Sequence, residues 1–121
     1  MSNKDFIDIF NSNVVDFLTQ LTIYDNIVNF TLYKNSVIAS ILIDKFSIRN
    51  MFDKTVAVHY SSQILQKDDK FFLDQSYDEY NLNDFSIINS IKKVWLTIDD
   101  TSKSKIWDYL NVLIYLNKKI I

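Results

Sequence analysis

Neither glycine nor proline occurs anywhere in this chain of 121 residues. Average usage would supply roughly eight and six. Without glycine, any turn that needs positive φ has to fall on asparagine or aspartate, at a steric cost. Tight β-hairpins depend on glycine at their turns, so barrels and sandwiches are disfavoured. Helices joined by open loops lose least. The same absence excludes chemistry. A phosphate-cradling P-loop, a dinucleotide fingerprint, a nucleophile elbow and a standard EF-hand loop all need glycine.

Cysteine is also missing, and there is one histidine. Disulfides, thiolate metal sites, zinc fingers and the HExxH helix are thereby excluded. Hydrophobic residues make up 48% of the chain, enough for a core in a single domain over 1–121. The longest apolar runs, "VIASILI" (37–43) and "VLIYL" (112–116), are too short to span a bilayer. "MSNKDFIDIF" lacks the apolar centre of a secretory signal. These features lead us to expect a soluble, cytoplasmic protein with no membrane contact.

Apolar spacing sets the fold class. Phe6, Phe10, Val14, Phe17, Leu18 and Leu21 share a face over about 4–22. A second helix is expected over 25–43, with Ile27, Phe30, Val37, Ile38, Ile41 and Leu42 inward and a break near Asn35. Ile48, Phe52, Val56, Tyr60 and Ile64 step by four through a third, over 45–66. A fourth, over 83–98, would start at Asn83 or Asp84 and bury Phe85, Ile88, Ile91, Val94, Trp95 and Ile98. A fifth, over 102–119, would be capped by Asp100, Thr101 or Ser102 and bury Ile106, Trp107, Leu110, Leu113, Ile114 and Asn117. The expected architecture is an all-α bundle of about five helices. The alternative is α+β, with "TVAVHY" (55–60) and "IVNFTLY" (27–33) as strands.

Few residues carry chemistry. His59 would have to serve any hydrolytic triad, with Ser61 or Ser62 beside it, and such sequence neighbours seldom have triad geometry. Asp68, Asp69, Asp74, Asp78 and Glu79 match no known metal-loop spacing and read as a solvated turn. We therefore expect no catalytic residue, no metal and no cofactor. Phe71 and Phe72 stand inside this acidic stretch, where two phenylalanines need a reason. Either they pin the loop to the helices or they anchor a protein partner. Trp95 and Trp107 pose the same choice: core rings brought together by antiparallel helices, or partner contacts.

Charge is unevenly spread. Residues 61–85 carry two basic and six acidic side chains, and residues 86–121 carry six basic and three acidic. Lys92, Lys93, Lys103 and Lys105 give the C-terminal third a basic character that allows phosphate contact, though lysine reads base edges poorly.

"YSSQILQKDDKFFLD" (60–74) and "IKKVWLTIDDTSKSKIWDYLNVLIYLNKK" (91–119) carry a recognisable pattern. A tyrosine helix ends Q-I-L (Tyr60, Gln63, Ile64, Leu65). A K-D-[DE]-x-F-[FL] segment follows (Lys67, Asp68, Asp69, Phe71, Phe72), then W-x-x-[LI] (Trp95, Ile98). The pattern closes with I-W-x-Y-L-x-x-L (Ile106, Trp107, Tyr109, Leu110, Leu113). Over roughly residues 60–119 the chain resembles small helical proteins of the nucleocytoplasmic large DNA viruses. Residues 23–45 depart from that pattern, and a proline expected after the first helix is missing. The resemblance implies a helical viral protein made in an infected cell and assigns no site residues. The expected function is that of a non-catalytic accessory protein, in the cytoplasm, virion or replication factory. It would work through a protein partner or a second copy of itself, with Phe71, Phe72, Trp95 and Trp107 as candidate partner-binding residues. The alternatives are a nucleic-acid-associated factor using Lys92, Lys93, Lys103 and Lys105, and a metal-dependent enzyme using the 68–79 acidic loop.

Overall fold

Residues 2–74 and 86–120 are described by the computed structural model. Among them every regular element is helical, and the two segments that could have been strands are not. Residues 55–60 lie in a helix, and residues 30–33 open one.

Helix α1 (Asn3–Leu21) begins in a capping box. The Ser2 hydroxyl accepts the Asp5 N–H, and the Asp5 carboxylate accepts the Ser2 N–H at 3.2 Å. Those bonds hold the Asp5 carboxyl below its usual range. Phe10, Val14, Phe17, Leu18 and Leu21 of the expected stripe are buried; at its start Ile7 is buried and Phe6 only partly so. The helix packs against α2 (Phe30–Ile43) and α7 (Asp100–Lys119). Phe17 stacks on Tyr109 of α7 at 5.1 Å.

Helix α2 starts later than expected, at Phe30 rather than 25. A 3₁₀ turn at Thr22–Tyr24 ends the α1 segment, and two side chains then compete for free amides. Asn29 caps α2 by accepting the Leu32 N–H at 2.9 Å. Asp25 accepts the Thr31 N–H at 3.1 Å and the Thr31 hydroxyl. No break occurs at Asn35, which is exposed in mid-helix.

Helices α3 (Ser47–Phe52) and α4 (Val58–Leu65) form one rod joined by a π turn over Asp53–Ala57. The π turn explains the four-residue repeat. On a regular α-helix, a repeat of four drifts by about 40° per step and would leave the core after a few turns. One wider i→i+5 turn resets that drift. Ile48, Phe52, Val56, Tyr60 and Ile64 are accordingly all buried.

The rod ends on Lys67, whose φ is 52°. This corrects the expectation that asparagine or aspartate would fill such a position. Asp68 N–H bonds to the Gln63 carbonyl and Lys67 N–H to the Ile64 carbonyl, the pairing that usually places glycine at this point. The short helix α5 (Lys70–Leu73) follows. Helix α6 (Ile87–Val94) is capped by Ser86, not by Asn83 or Asp84, which lie with Phe85 outside the described residues. It continues into a 3₁₀ turn over Trp95–Thr97. Asp99 caps α7, where Asp100, Thr101 or Ser102 had been expected, by accepting the Ser102 N–H at 2.7 Å. That bond lowers the Asp99 pKa.

The other end of α7 is tied by the only arginine. Arg49 donates to Asn117 Oδ1 at 2.9 Å and to the carbonyls of Asn117 (3.2 Å) and Ile120 (2.7 Å). Asn117 in turn donates to Asp53 at 2.8 Å. Carbonyls that a helix end leaves without partners are thus satisfied from the π-turn rod. No helix among the described residues is long and apolar enough to cross a membrane.

Candidate interaction surface

The rings singled out in the sequence converge on one place. Phe72 lies 4.6 Å from Trp95 and 5.0 Å from Trp107, centroid to centroid, and the two indoles are 5.8 Å apart. Phe71 bridges Phe72 (4.9 Å) and Tyr60 (5.0 Å). The turn between α6 and α7 makes this convergence possible. Phe72 and Trp95 are 0% exposed and Trp107 is 4% exposed, while Phe71 is half-buried. These side chains form the core where α5, α6 and α7 meet. A ring without solvent exposure cannot anchor a partner, so the partner-binding expectation for Phe72, Trp95 and Trp107 does not match where they sit. They cover one another. Phe71 keeps one edge outside.

The acidic stretch contributes to this junction. Trp107 Nε1 donates to the Asp69 carboxylate at 3.0 Å, and Asp68 accepts the Lys70 N–H at 3.1 Å. Asp78 and Glu79 lie outside the described residues. Among the described residues no group of three or more His, Cys, Asp or Glu side chains is placed to hold a metal ion. Near His59, Ser61 donates to the Ala57 carbonyl and the Ser62 hydroxyl accepts from Gln66 at 3.3 Å.

The four lysines are divided. Lys92 is only 3% exposed, with Nζ 5.3 Å from the Phe71 ring centroid. Lys103 holds its Nζ 5.1 Å from the Trp95 centroid. A cation over a ring face is attracted by the ring quadrupole, so these two cover the aromatic junction. Lys93 and Lys105 are exposed. Of the four lysines that the nucleic-acid alternative needs, Lys92 is thus withdrawn from the surface and Lys103 is half-buried.

The largest surface oddity lies on α2: of the residues expected inward, Phe30 and Val37 are buried, whereas Leu42 is exposed, as is Ile27 ahead of the helix. Phe30, Tyr33 and Val37 are buried, and burial pushes the Tyr33 phenol up to about 12. Ile38 and Ile41 are only half-buried, while Leu42 is 83% and Ile43 88% exposed. The exposed residues of α2 are Thr31, Leu32, Asn35, Ser36, Ala39, Leu42 and Ile43, and none is ionisable. By contrast α1 exposes Lys4, Asp5, Asp8 and Asp16, and α7 exposes Asp100, Lys105, Asp108, Lys118 and Lys119. A helix apolar on all sides is normally covered on all sides.

Beside this face, Asn11, Ser12, Val15 and Asp16 of α1 and Ile38, Ile41 and Leu42 of α2 line an open groove of about 300 Å³. Asn11 fixes its floor by donating to the Lys45 carbonyl at 2.9 Å, which ties the end of α2 to α1. Sequence reading missed this surface because an all-round apolar pattern contains no phase. The signal available was the run of fourteen residues with a single ionisable side chain, Lys34.

No protein-family model matches the chain, and no curated protein or solved structure matches it either.

Proposed function

We propose that this protein is a non-catalytic interaction module that works through protein–protein contact, with the outer face of α2 as its docking surface. The observation that carries this reading is the uncharged face itself. It runs the length of the helix, with Leu42 and Ile43 almost fully in solvent. Surfaces that stay free in water are normally interspersed with charge, and contiguous apolar patches mark contact sites. The resemblance over residues 60–119 to small helical viral proteins supports an accessory role in an infected cell.

The test is capture with a tagged chain followed by rebuilding from purified components. The wild-type chain should hold a partner in stoichiometric amount, and Leu42→Glu with Ile43→Glu should release it while the helical circular dichroism is unchanged. Binding that ignores both substitutions, or measured catalytic turnover by the purified chain, sinks the reading.

A further inference from the structure

The outer face of α2 has a pattern that identifies its occupant. Leu32, Ser36, Ala39 and Ile43 are all exposed and are spaced four, three and four apart. That spacing is the apolar seam of a two-helix coiled coil, in which positions alternate at three and four residues. Along the seam the side chains run large, small, small, large. An antiparallel copy, related by a two-fold axis beside residues 37 and 38, sets Leu32 against Ile43 of the second copy. It also sets Ser36 against Ala39 of the second copy. Small residues meet at the centre, where they allow the helix axes to approach closely, and large ones meet at both ends. A two-fold contact must be self-complementary in this sense.

Charge agrees with the arrangement. The face has no ionised group, so a charged partner surface would lose hydration without compensation. At the rim, Asp25 marks the N-terminal end of α2 and Lys45 follows its C-terminal end. Antiparallel pairing brings these opposite charges to the same end, twice by symmetry, and also opposes the two helix dipoles. Asp44, a like charge to Asp25, stands at that end too and offsets part of this attraction, although its carboxylate is engaged by the Phe46 N–H at 2.9 Å.

We infer that two copies of this chain associate through α2 as an antiparallel helix pair. This rests on the reading of α2 as the docking face and names its occupant. Stable dimers bury about 800 Å² per partner. Helix α2 has 14 residues, so it is about 21 Å long with a footprint on the order of 250 Å². The contact is thus well below the size of stable dimers, and the pair is weak and depends on concentration.

Sedimentation of the full chain from about 5 μM to about 1 mM tests this across the range expected for so small a contact. The average mass should rise from that of one 14.3 kDa chain toward twice it. Ala39→Glu and Ser36→Glu, at the centre of the seam, should each hold it at one chain. Val112→Glu, on the exposed side of α7, should leave association unchanged. The decisive variants are Leu32→Glu and Ile43→Lys. Each alone should weaken association at least tenfold. Together they should restore it, because each glutamate then faces a lysine across the axis. Eleven residues separate the two positions, about 16 Å along the helix, too far for them to pair within one chain. Association untouched by Ala39→Glu, or a double variant no better than the singles, overturns the arrangement. A chain that stays single at every concentration, yet loses a different partner on Leu42→Glu with Ile43→Glu, overturns the dimer and keeps the interaction module. A single chain that captures no partner removes both.

Discussion

The α5–α6–α7 aromatic junction and the outer face of α2 both carry large apolar side chains, and these end in opposite surroundings. At the junction, Phe72, Trp95 and Trp107 give up all or nearly all contact with water, although acidic residues flank Phe71 and Phe72 in the sequence. On α2, Leu42 and Ile43 stay in solvent, although their neighbours are almost wholly apolar. Local composition thus points the wrong way in both places. What decides burial is whether a second element can cover the side chain. The junction has three elements converging on it. Helix α2 has α1 and α3 against its inner side, and no described element covers its outer one.

The largest expected effect tests the junction. Trp95→Ala removes a ring in contact with Phe72 and Trp107 and should cost roughly 3–5 kcal/mol in a urea titration. A loss below about 1 kcal/mol would mean that the rings do not form a core. The Trp95 indole N–H is buried with no acceptor among the described residues, so Trp95→Phe should recover most of the loss.

Tyr33 separates the inner face of α2 from the outer one. Burial raises its pKa from 10.0 to about 12. Alkali therefore ionises the unfolded chain first, and above pH 10 the unfolded state holds fewer protons than the native one. Stability should fall between pH 10 and about 12, by about 2–3 kcal/mol in all. Tyr33→Phe should flatten that part of the stability curve. A profile identical in the two chains would show that the inner face is as wet as the outer.

How much of this was legible follows from the type of pattern. The stripes of α1 and α7 were clear because polar and apolar residues alternate in phase with the helix. The four-residue repeat from Ile48 to Ile64 was clear too, although the π turn that lets it face inward leaves no mark in composition. Boundaries moved wherever a neighbouring side chain captured an amide first, as Asn29, Ser86 and Asp99 do. The junction was half legible: the sequence left core packing of Phe71, Phe72, Trp95 and Trp107 open beside partner contact, but the Asp69–Trp107 bond that closes it spans 38 residues. The α2 face was hidden because uniform apolarity specifies no direction. Both gaps concern long-range cover, which a local window cannot see.

The two regions also differ in how firmly their helices are tied. Arg49 makes three hydrogen bonds at the end of α7, whereas Asn11 makes one at the end of α2. Arg49→Ala should cost about 2 kcal/mol by thermal or urea unfolding, because it removes the Arg49 donor from Asn117 Oδ1 and from the Ile120 carbonyl. Arg49→Lys should recover little, since an ammonium cannot span both Asn117 and Ile120 in a fixed fork. Asn11→Ala should cost about 1 kcal/mol. An inverted order would mean that α2 is the better anchored helix and that its outer face owes nothing to weak cover.

The smallest effect is the most informative about the contrast. Leu42→Ser and Ile43→Ser remove large apolar groups, the change that is most damaging in a core. At 83% and 88% exposure these side chains have little contact to lose. Measured on dilute protein, each should shift stability by no more than about 0.5 kcal/mol. The same substitutions at high concentration should cost more if α2 is covered there, because a folded pair draws the unfolding equilibrium toward the native state by mass action. The quantity to compare is thus the difference between two unfolding midpoints, one dilute and one concentrated, for the wild-type chain and for Ile43→Ser. A gap in the wild type that closes in the variant places cover on α2. A loss of several kcal/mol already present in dilute protein would show that Ile43 is buried within its own chain, and the distinction between the two regions would disappear.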